Sequence, residues 1–269
     1  MVGVVAITSL KNPRVKAAID LNKSKGRRAT GLFTVEGARE IDRALQSGYE
    51  LRELFICAKA LSDDAVVLVQ AAEAKGKAEM FDVTPPVFAK MAMREESDGL
   101  VAVMKQKHLQ LKDLKLPAKP LILAVQSIEK PGNLGALLRS ADGAGVDAVV
   151  LLDEALDLYH PHAIRSSLGT AFSVPVVEAR SEEFRQYCKK AGIRTYAAAL
   201  SKRALVHHAA DYRSGAAIVL GSEADGLTGD WLDGADDIVI IPMKGIADSL
   251  NVSTAGAVLL YEAVRQRSE

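Results

Sequence analysis

Three short stretches carry residue types that suit group-transfer chemistry. KPGNLGALLRSADGAG (130–145) follows an apolar run and places Asn133 at a strand-to-helix turn, with Arg139 six residues on, almost two helical turns later. IVLGSEADGL puts Gly221, Ser222 and Glu223 just past an apolar run, and IPMKGIADSLNVSTAGAVLL puts Ser249 and Asn251 before a long helical pattern. Each is a strand end or helix start rich in small and polar residues, where unpaired backbone groups are available to a ligand. An arginine projecting over such an edge brings a guanidinium that is charged at any working pH and forked for phosphate or carboxylate.

Two common phosphate readings fail. The string GxxxxGK[ST] of a P-loop is absent, and Gly132 and Gly135 do not satisfy the GxGxxG of a dinucleotide fold. Cys57 and Cys188 stand far apart, and His160/His162 and His207/His208 lack further ligands, so no metal site is expected.

The elements that must hold these loops alternate. From Asn12-Pro13, an N-cap followed by proline, the pattern predicts a helix, a basic loop over 24–30, a strand in GLFTVEG and a helix closed by Gly48. Strands in ELFICA, AEMFDV and GLVAVM follow, separated by helices starting at Ser62 and Thr84-Pro85. KQKHLQLKDLKLPAK then interrupts the alternation and reads as a linker. This divides the chain into a small α/β domain (1–105), a linker (106–118) and a larger α/β domain (119–269). In the latter, LILAVQSI, DAVVLLD, VPVVEA, RTYAAAL, AAIVLG and DIVIIP are continuous apolar runs, as a parallel sheet covered on both faces requires. The closing helix is expected over Val252–Arg267.

The 269 residues balance 34 basic against 34 acidic side chains, but not locally. Seven basic residues between Lys11 and Arg28, among them Arg14, Lys25, Arg27 and Arg28, face one acid, Asp20, and make a candidate surface for a phosphate backbone. No apolar run approaches the roughly 20 residues of a membrane span. The opening MVGVVAITSL lacks the basic start of a signal peptide, so a cytoplasmic location is expected.

Taken in order, Asn133-x-Gly135 with Arg139, Leu220-Gly221-Ser222-Glu223 with Gly226, and Ile241-Pro242-Met243 with Ser249-Leu250-Asn251-Val252-Ser253 resemble the three motifs of the SpoU/TrmH family of RNA ribose 2′-O-methyltransferases, within the SPOUT superfamily. The resemblance covers roughly 119–269. Residues 12–45 also resemble the small substrate-binding domain that precedes many such catalytic domains.

The resemblance implies a mostly parallel sheet with a deep trefoil knot, a homodimer, and S-adenosylmethionine as methyl donor. It implies that the cofactor lies on backbone groups of Gly221, Ile241 and Leu250, flanked by Met243, Ser222, Ala199 and Leu200. Arg139 matches the family's catalytic arginine, with Asn133, Glu223, Ser249 and Asn251 expected to hold it and the ribose. Arg165, in HPHAIRSSLG, resembles a recurring RNA-contacting arginine. The implied reaction is methyl transfer to a ribose 2′-hydroxyl of a structured RNA, 23S rRNA favoured. A tRNA substrate and a non-catalytic RNA-binding or assembly role on the same scaffold are the alternatives.

Overall fold

The computed structural model describes residues 5–94, 97–153 and 156–268. The first four residues of the opening stretch therefore lie outside the described part. The chain divides into two compact units, one formed by residues 1–107 and 157–173, the other by 108–156 and 174–269.

The first unit is built on a five-stranded mixed sheet. Its strands are β1 (Val5–Ile7), β2 (Leu32–Glu36), β3 (Leu51–Ile56), β4 (Glu79–Val83) and β5 (Leu100–Lys105), ordered β1-β4-β3-β5-β2. Only β1, β4 and β3 run parallel; β5 is antiparallel to both β3 and β2. The helices are α1 (Pro13–Asp20), α2 (Ser24–Thr30), α3 (Ala38–Gln46), α4 (Asp63–Lys75) and α5 (Pro85–Met91). Segment 24–30 is thus a helix, not the loop its composition suggested. Gly31, at φ +65°, caps it in the left-handed region. Gly26 lies so near α1 that a Cβ would sit 2.3 Å from the Asp20 carbonyl oxygen. The sequence reading also missed β1, whose three residues are too few for a pattern.

Residues 157–173, assigned from sequence to the larger domain, pack instead within this unit. They carry α7 (Pro161–Ser166). Tyr159 and Phe172 join Phe33 and Tyr49 in an aromatic cluster with centroids 4.4–6.3 Å apart. The Tyr159 hydroxyl accepts from the Lys107 N–H at 2.7 Å, and Asp157 pairs with Arg27. Aromatic burial decides the placement, since such rings contribute large apolar areas.

The second unit holds a seven-stranded sheet, parallel throughout. Its strands are β6 (Leu121–Gln126), β7 (Ala148–Leu152), β8 (Val176–Ala179), β9 (Arg194–Ala198), β10 (Leu205–Val206), β11 (Ala216–Leu220) and β12 (Asp237–Ile240), ordered β10-β12-β9-β11-β6-β7-β8. The central strands are buried along their whole length, as their unbroken apolar sequences require. One face is covered by α6 (Pro131–Gly143) and α10 (Val252–Arg267). There Gly256 lets α10 approach until a Cβ would stand 2.5 Å from Leu137 Cδ2. The other face packs Phe184 and Cys188 of α8 (Ser181–Ala191) and Trp231 of α9 (Gly229–Gly234) against Ile122, Ala124, Val150 and Val219.

The expected linker is partly docked here. Leu111 is buried in this core, in a 3-10 turn (Leu111–Asp113) closed by a reciprocal Gln110–Asp113 cap, and Leu109 bridges to Val177. Its leucines, which read as marginal periodicity, are the cause.

Candidate active site

Strand order places the three loops together. β12, β9, β11 and β6 are consecutive and parallel, so the segments after Ile240, Ala198, Leu220 and Gln126 all leave the same carboxyl edge. β6 and β11 are neighbours although 90 residues separate the turns that follow them. The order reverses in sequence there, and open α/β sheets bind ligands at such a point.

The polar residues form a directed chain. Asn251 is the N-cap of α10, its Oδ1 accepting from the Ser253 N–H at 2.9 Å. The Asn251 side-chain amide donates to Asn133 Oδ1 at 3.2 Å, and the Asn133 amide donates to Glu223 Oε1 at 2.6 Å. The Glu129 backbone N–H completes the path, donating to Glu223 Oε2 at 3.4 Å. Burial alone pushes the Glu223 carboxyl up. The Asn133 amide, backbone N–H groups of Glu223 and Glu129, and the nearby Lys130 charge outweigh it and hold the group below its ordinary value. Its place at the start of α6 adds the favourable end of a helix dipole. Glu223 is therefore an anion at neutral pH, and the Asn133 amide keeps a second N–H beyond the one it gives to Glu223.

Glu223 pairs with neither Arg139 nor Asn251: its side-chain partner is Asn133. Arg139 is exposed on α6 and makes no hydrogen bond or ion pair among the described residues. The expectation that the other polar residues hold Arg139 is therefore corrected. Six residues along a helix put it about 120° round the axis from Asn133. Ser249 is likewise exposed, and the cap of the helix that follows it is Asn251.

The expected cofactor residues gather at the same edge. Gly221 enters a tight turn in which Ser222 and Gly226 exchange both backbone hydrogen bonds, at 3.1 and 3.2 Å, with Gly226 at φ +71°. A Cβ on Gly221 would lie 2.1 Å from the Gly226 carbonyl carbon, so only glycine fits. Ala199 is fixed by its N–H to the Val239 carbonyl at 3.1 Å. Ile241, Met243 and Leu250 are half-buried, whereas Leu200 is 69% exposed and Ile246 fully so. Among the described residues the backbone N–H groups of Met243 to Leu250 have no hydrogen-bond partner. Open main-chain donors and acceptors beside uncovered aliphatic side chains suit a nucleoside read along its edge and sandwiched on its faces.

Of the five residues expected to touch RNA, Arg27 is removed from that role. It is 1% exposed, with Nε on Asp157 Oδ2 and Nη1 on the Leu21 carbonyl, both at 2.7 Å. Its position on the inner face of α2 decides this. Arg14 is engaged by Glu53 and Glu79 and lies over the Phe81 ring. Lys25, Arg28 and Arg165 are exposed.

Sequence reasoning missed a polar cluster behind the loops, in which buried Gln126 and Ser181 meet exposed Asp153 and Thr228. The available signal was Gln126 itself, a polar residue ending the otherwise apolar LILAVQ.

Residues 120–261 match the model of the SpoU rRNA Methylase family. The chain belongs to that family. Residues 12–102 match the MRM3-like substrate binding domain. Among SpoU relatives, the 23S rRNA (guanosine(2553)-2′-O)-methyltransferase RlmP of Bacillus subtilis is 29% identical over 95% of this chain and 97% of its own length. A crystal structure of an RNA 2′-O ribose methyltransferase is 39% identical, with a TM-score of 0.86 over 98% of this chain and 100% of that one. The AdoMet-bound rRNA methyltransferase of Sinorhizobium meliloti is 28% identical, with a TM-score of 0.89 over 97% and 98% of the two chains. Like the SpoU proteins it resembles over nearly its full length, this chain is an RNA 2′-O-methyltransferase that uses S-adenosylmethionine. Among the described residues no helix is long and apolar enough to cross a membrane.

Proposed function

We propose that the protein methylates a ribose 2′-hydroxyl of a structured segment of 23S rRNA, in the cytoplasm, as a homodimer joined through the second unit. The observation that carries the reading is the Asn251–Asn133–Glu223 relay, which ties three separated loops into one preset arrangement. S-adenosylmethionine supplies a methyl group on a positively charged sulfur. The residues of the chain supply alignment and charge, which are most of what such a transfer needs.

Gly221, Ser222, Ile241, Met243 and Leu250 would hold the cofactor through main-chain groups, with Ala199 and Leu200 at its side, in the knotted part of the chain. Asn133 and Asn251, whose amides are oriented by the relay, fix the ribose, and Ser249 hydrogen-bonds it. Arg139, free of internal partners, clamps the phosphate of the target nucleotide and favours the 2′-oxyanion by its charge. A proton-abstracting role is disfavoured because a guanidinium loses its proton only above about pH 12. Lys25, Arg28 and Arg165 contact the phosphate backbone of the RNA; Arg14 acts there only through its remaining exposed surface.

Incubating the protein with tritiated S-adenosylmethionine and unmodified total rRNA or tRNA, then mapping the labelled position, tests this. Label in 23S rRNA at one 2′-oxygen is the expected result. Label in tRNA replaces the substrate, and no label in either leaves an RNA-binding scaffold.

A further inference from the structure

The polar cluster behind the loops has no part in the relay, yet it holds the loop that carries Glu223. Gln126, the last residue of β6, is 3% exposed. Its Oε1 accepts the Thr228 N–H at 3.0 Å, and its Nε2 donates to Thr228 Oγ1 at 3.1 Å. Two antiparallel hydrogen bonds to one residue form a clasp that permits neither sliding nor rotation.

The clasp is in turn held from behind. Gln126 Nε2 also faces Asp153 Oδ2 at 2.8 Å and Ser181 Oγ at 3.3 Å. Ser181 gives its hydroxyl proton to Asp153 at 2.6 Å and its N–H to the other Asp153 oxygen at 2.9 Å. Trp231 Nε1 donates to Ser181 Oγ at 2.9 Å. The donor directions leave Gln126 a single orientation of its amide, because a flip would set its oxygen against the Asp153 carboxylate. Ser127 (φ +50°) and Asp153 (φ +59°) are two of the three described non-glycine residues in the left-handed region, and both sit at this cluster. Such backbone persists only where surroundings over-determine it.

Between Leu220 and Thr228 the chain makes the Ser222–Gly226 turn, with Leu227 buried below it. Glu223 stands in that turn, so the place of its carboxylate depends on where Thr228 is fixed. We infer that Gln126 is a positioning residue for Glu223, acting through Thr228. The inference rests on the reading of the relay as part of the methyl-transfer site.

The test compares Gln126→Leu, Thr228→Val and Thr228→Ser, each alone and with Glu223→Gln. Thr228 is exposed, so its variants fold even if Gln126→Leu does not. Displacing an aligning group by about 1 Å costs on the order of 100-fold. Gln126→Leu and Thr228→Val are therefore expected to lower kcat between about 10- and 100-fold, with less than about a threefold change in KM for S-adenosylmethionine. Thr228→Ser, which keeps both contacts, stays near wild type. In the Glu223→Gln background the further loss shrinks below about threefold, as residues acting as a unit require. A full multiplicative loss in that background, or unchanged kcat in a folded Thr228→Val, overturns the inference. Hydrogen exchange of the 222–228 amides gives an arm independent of activity. Faster exchange in Thr228→Val is expected, and wild-type protection overturns the clasp. If wild-type protein itself transfers no methyl group to RNA, the functional reading fails while the exchange arm still decides the clasp.

Discussion

Arg27 and Arg28 are adjacent, equally basic and opposite in fate, which makes them a sharp test of the structural argument. Arg27→Met keeps most of the side-chain length and removes the charge. It leaves the Asp157 carboxylate, 21% exposed, with the Tyr159 N–H at 2.8 Å as its remaining partner. It also strips one donor from the Leu21 carbonyl. Removing one member of a buried ion pair costs about 3–5 kcal/mol, and Asp157's contact with water brings the value to the lower end, about 3 kcal/mol. For a protein of this size that corresponds to a fall in melting temperature of roughly 6–12 °C. Arg28→Met, on the exposed side of the same helix, should shift stability by under about 0.5 kcal/mol. In RNA binding the pattern reverses: Arg28→Met should reduce the slope of log K against log salt by about one contact. Urea unfolding followed within the first unit, and filter binding over a salt series, give the two readings. An Arg27→Met protein as stable as wild type but weakened for RNA like Arg28→Met would refute the assignment of Arg27 to the core.

Four further outcomes are expected. Arg139→Lys keeps the charge and loses the fork, and turnover should fall at least about tenfold if a bidentate phosphate clamp operates; full turnover in single-turnover assays excludes that role. Glu223→Gln should lower kcat about 10- to 100-fold with little change in melting temperature, because the Asn133 amide keeps an oxygen acceptor. Gly221→Ala drives a methyl into the Gly226 backbone, and calorimetry should show S-adenosylhomocysteine binding weakened at least about tenfold, since backbone must shift rather than a flexible side chain. The Glu262 carboxyl is drawn down to about 2, chiefly by the Arg265 guanidinium and also by Gln266, against the opposing effect of burial. Its folded value lies below the ordinary value of about 4.3, so its contribution is complete above that pH and disappears as pH falls towards 2. The stability difference between wild type and Glu262→Gln, measured by denaturant titration, should therefore shrink over that interval.

The local elements were legible because their causes are local. Unbroken apolar runs such as AVVLL and AAIVL can sit only in a covered parallel sheet. Proline starts and glycine stops mark helix ends within a residue or two, and Val252–Arg267 is a helix over the expected span. The order of the three polar loops was also present in the chain. What they form was not: Asn133 and Glu223 meet across 90 residues because β11 lies between β9 and β6, a matter of strand order that no spacing encodes.

Tertiary packing alone also separated Arg27 from Arg28, drew 157–173 onto the first unit through aromatic burial, and docked Leu111 in the second core. Charge and hydropathy patterns report what a side chain prefers. Partners are assigned by which surfaces the folded backbone brings within hydrogen-bonding distance. The sequence thus determined the sheets, the helices and the kinds of groups at the carboxyl edge, while the tertiary structure decided that Glu223 answers to Asn133, that Gln126 stands behind it, and that Arg139 faces outward.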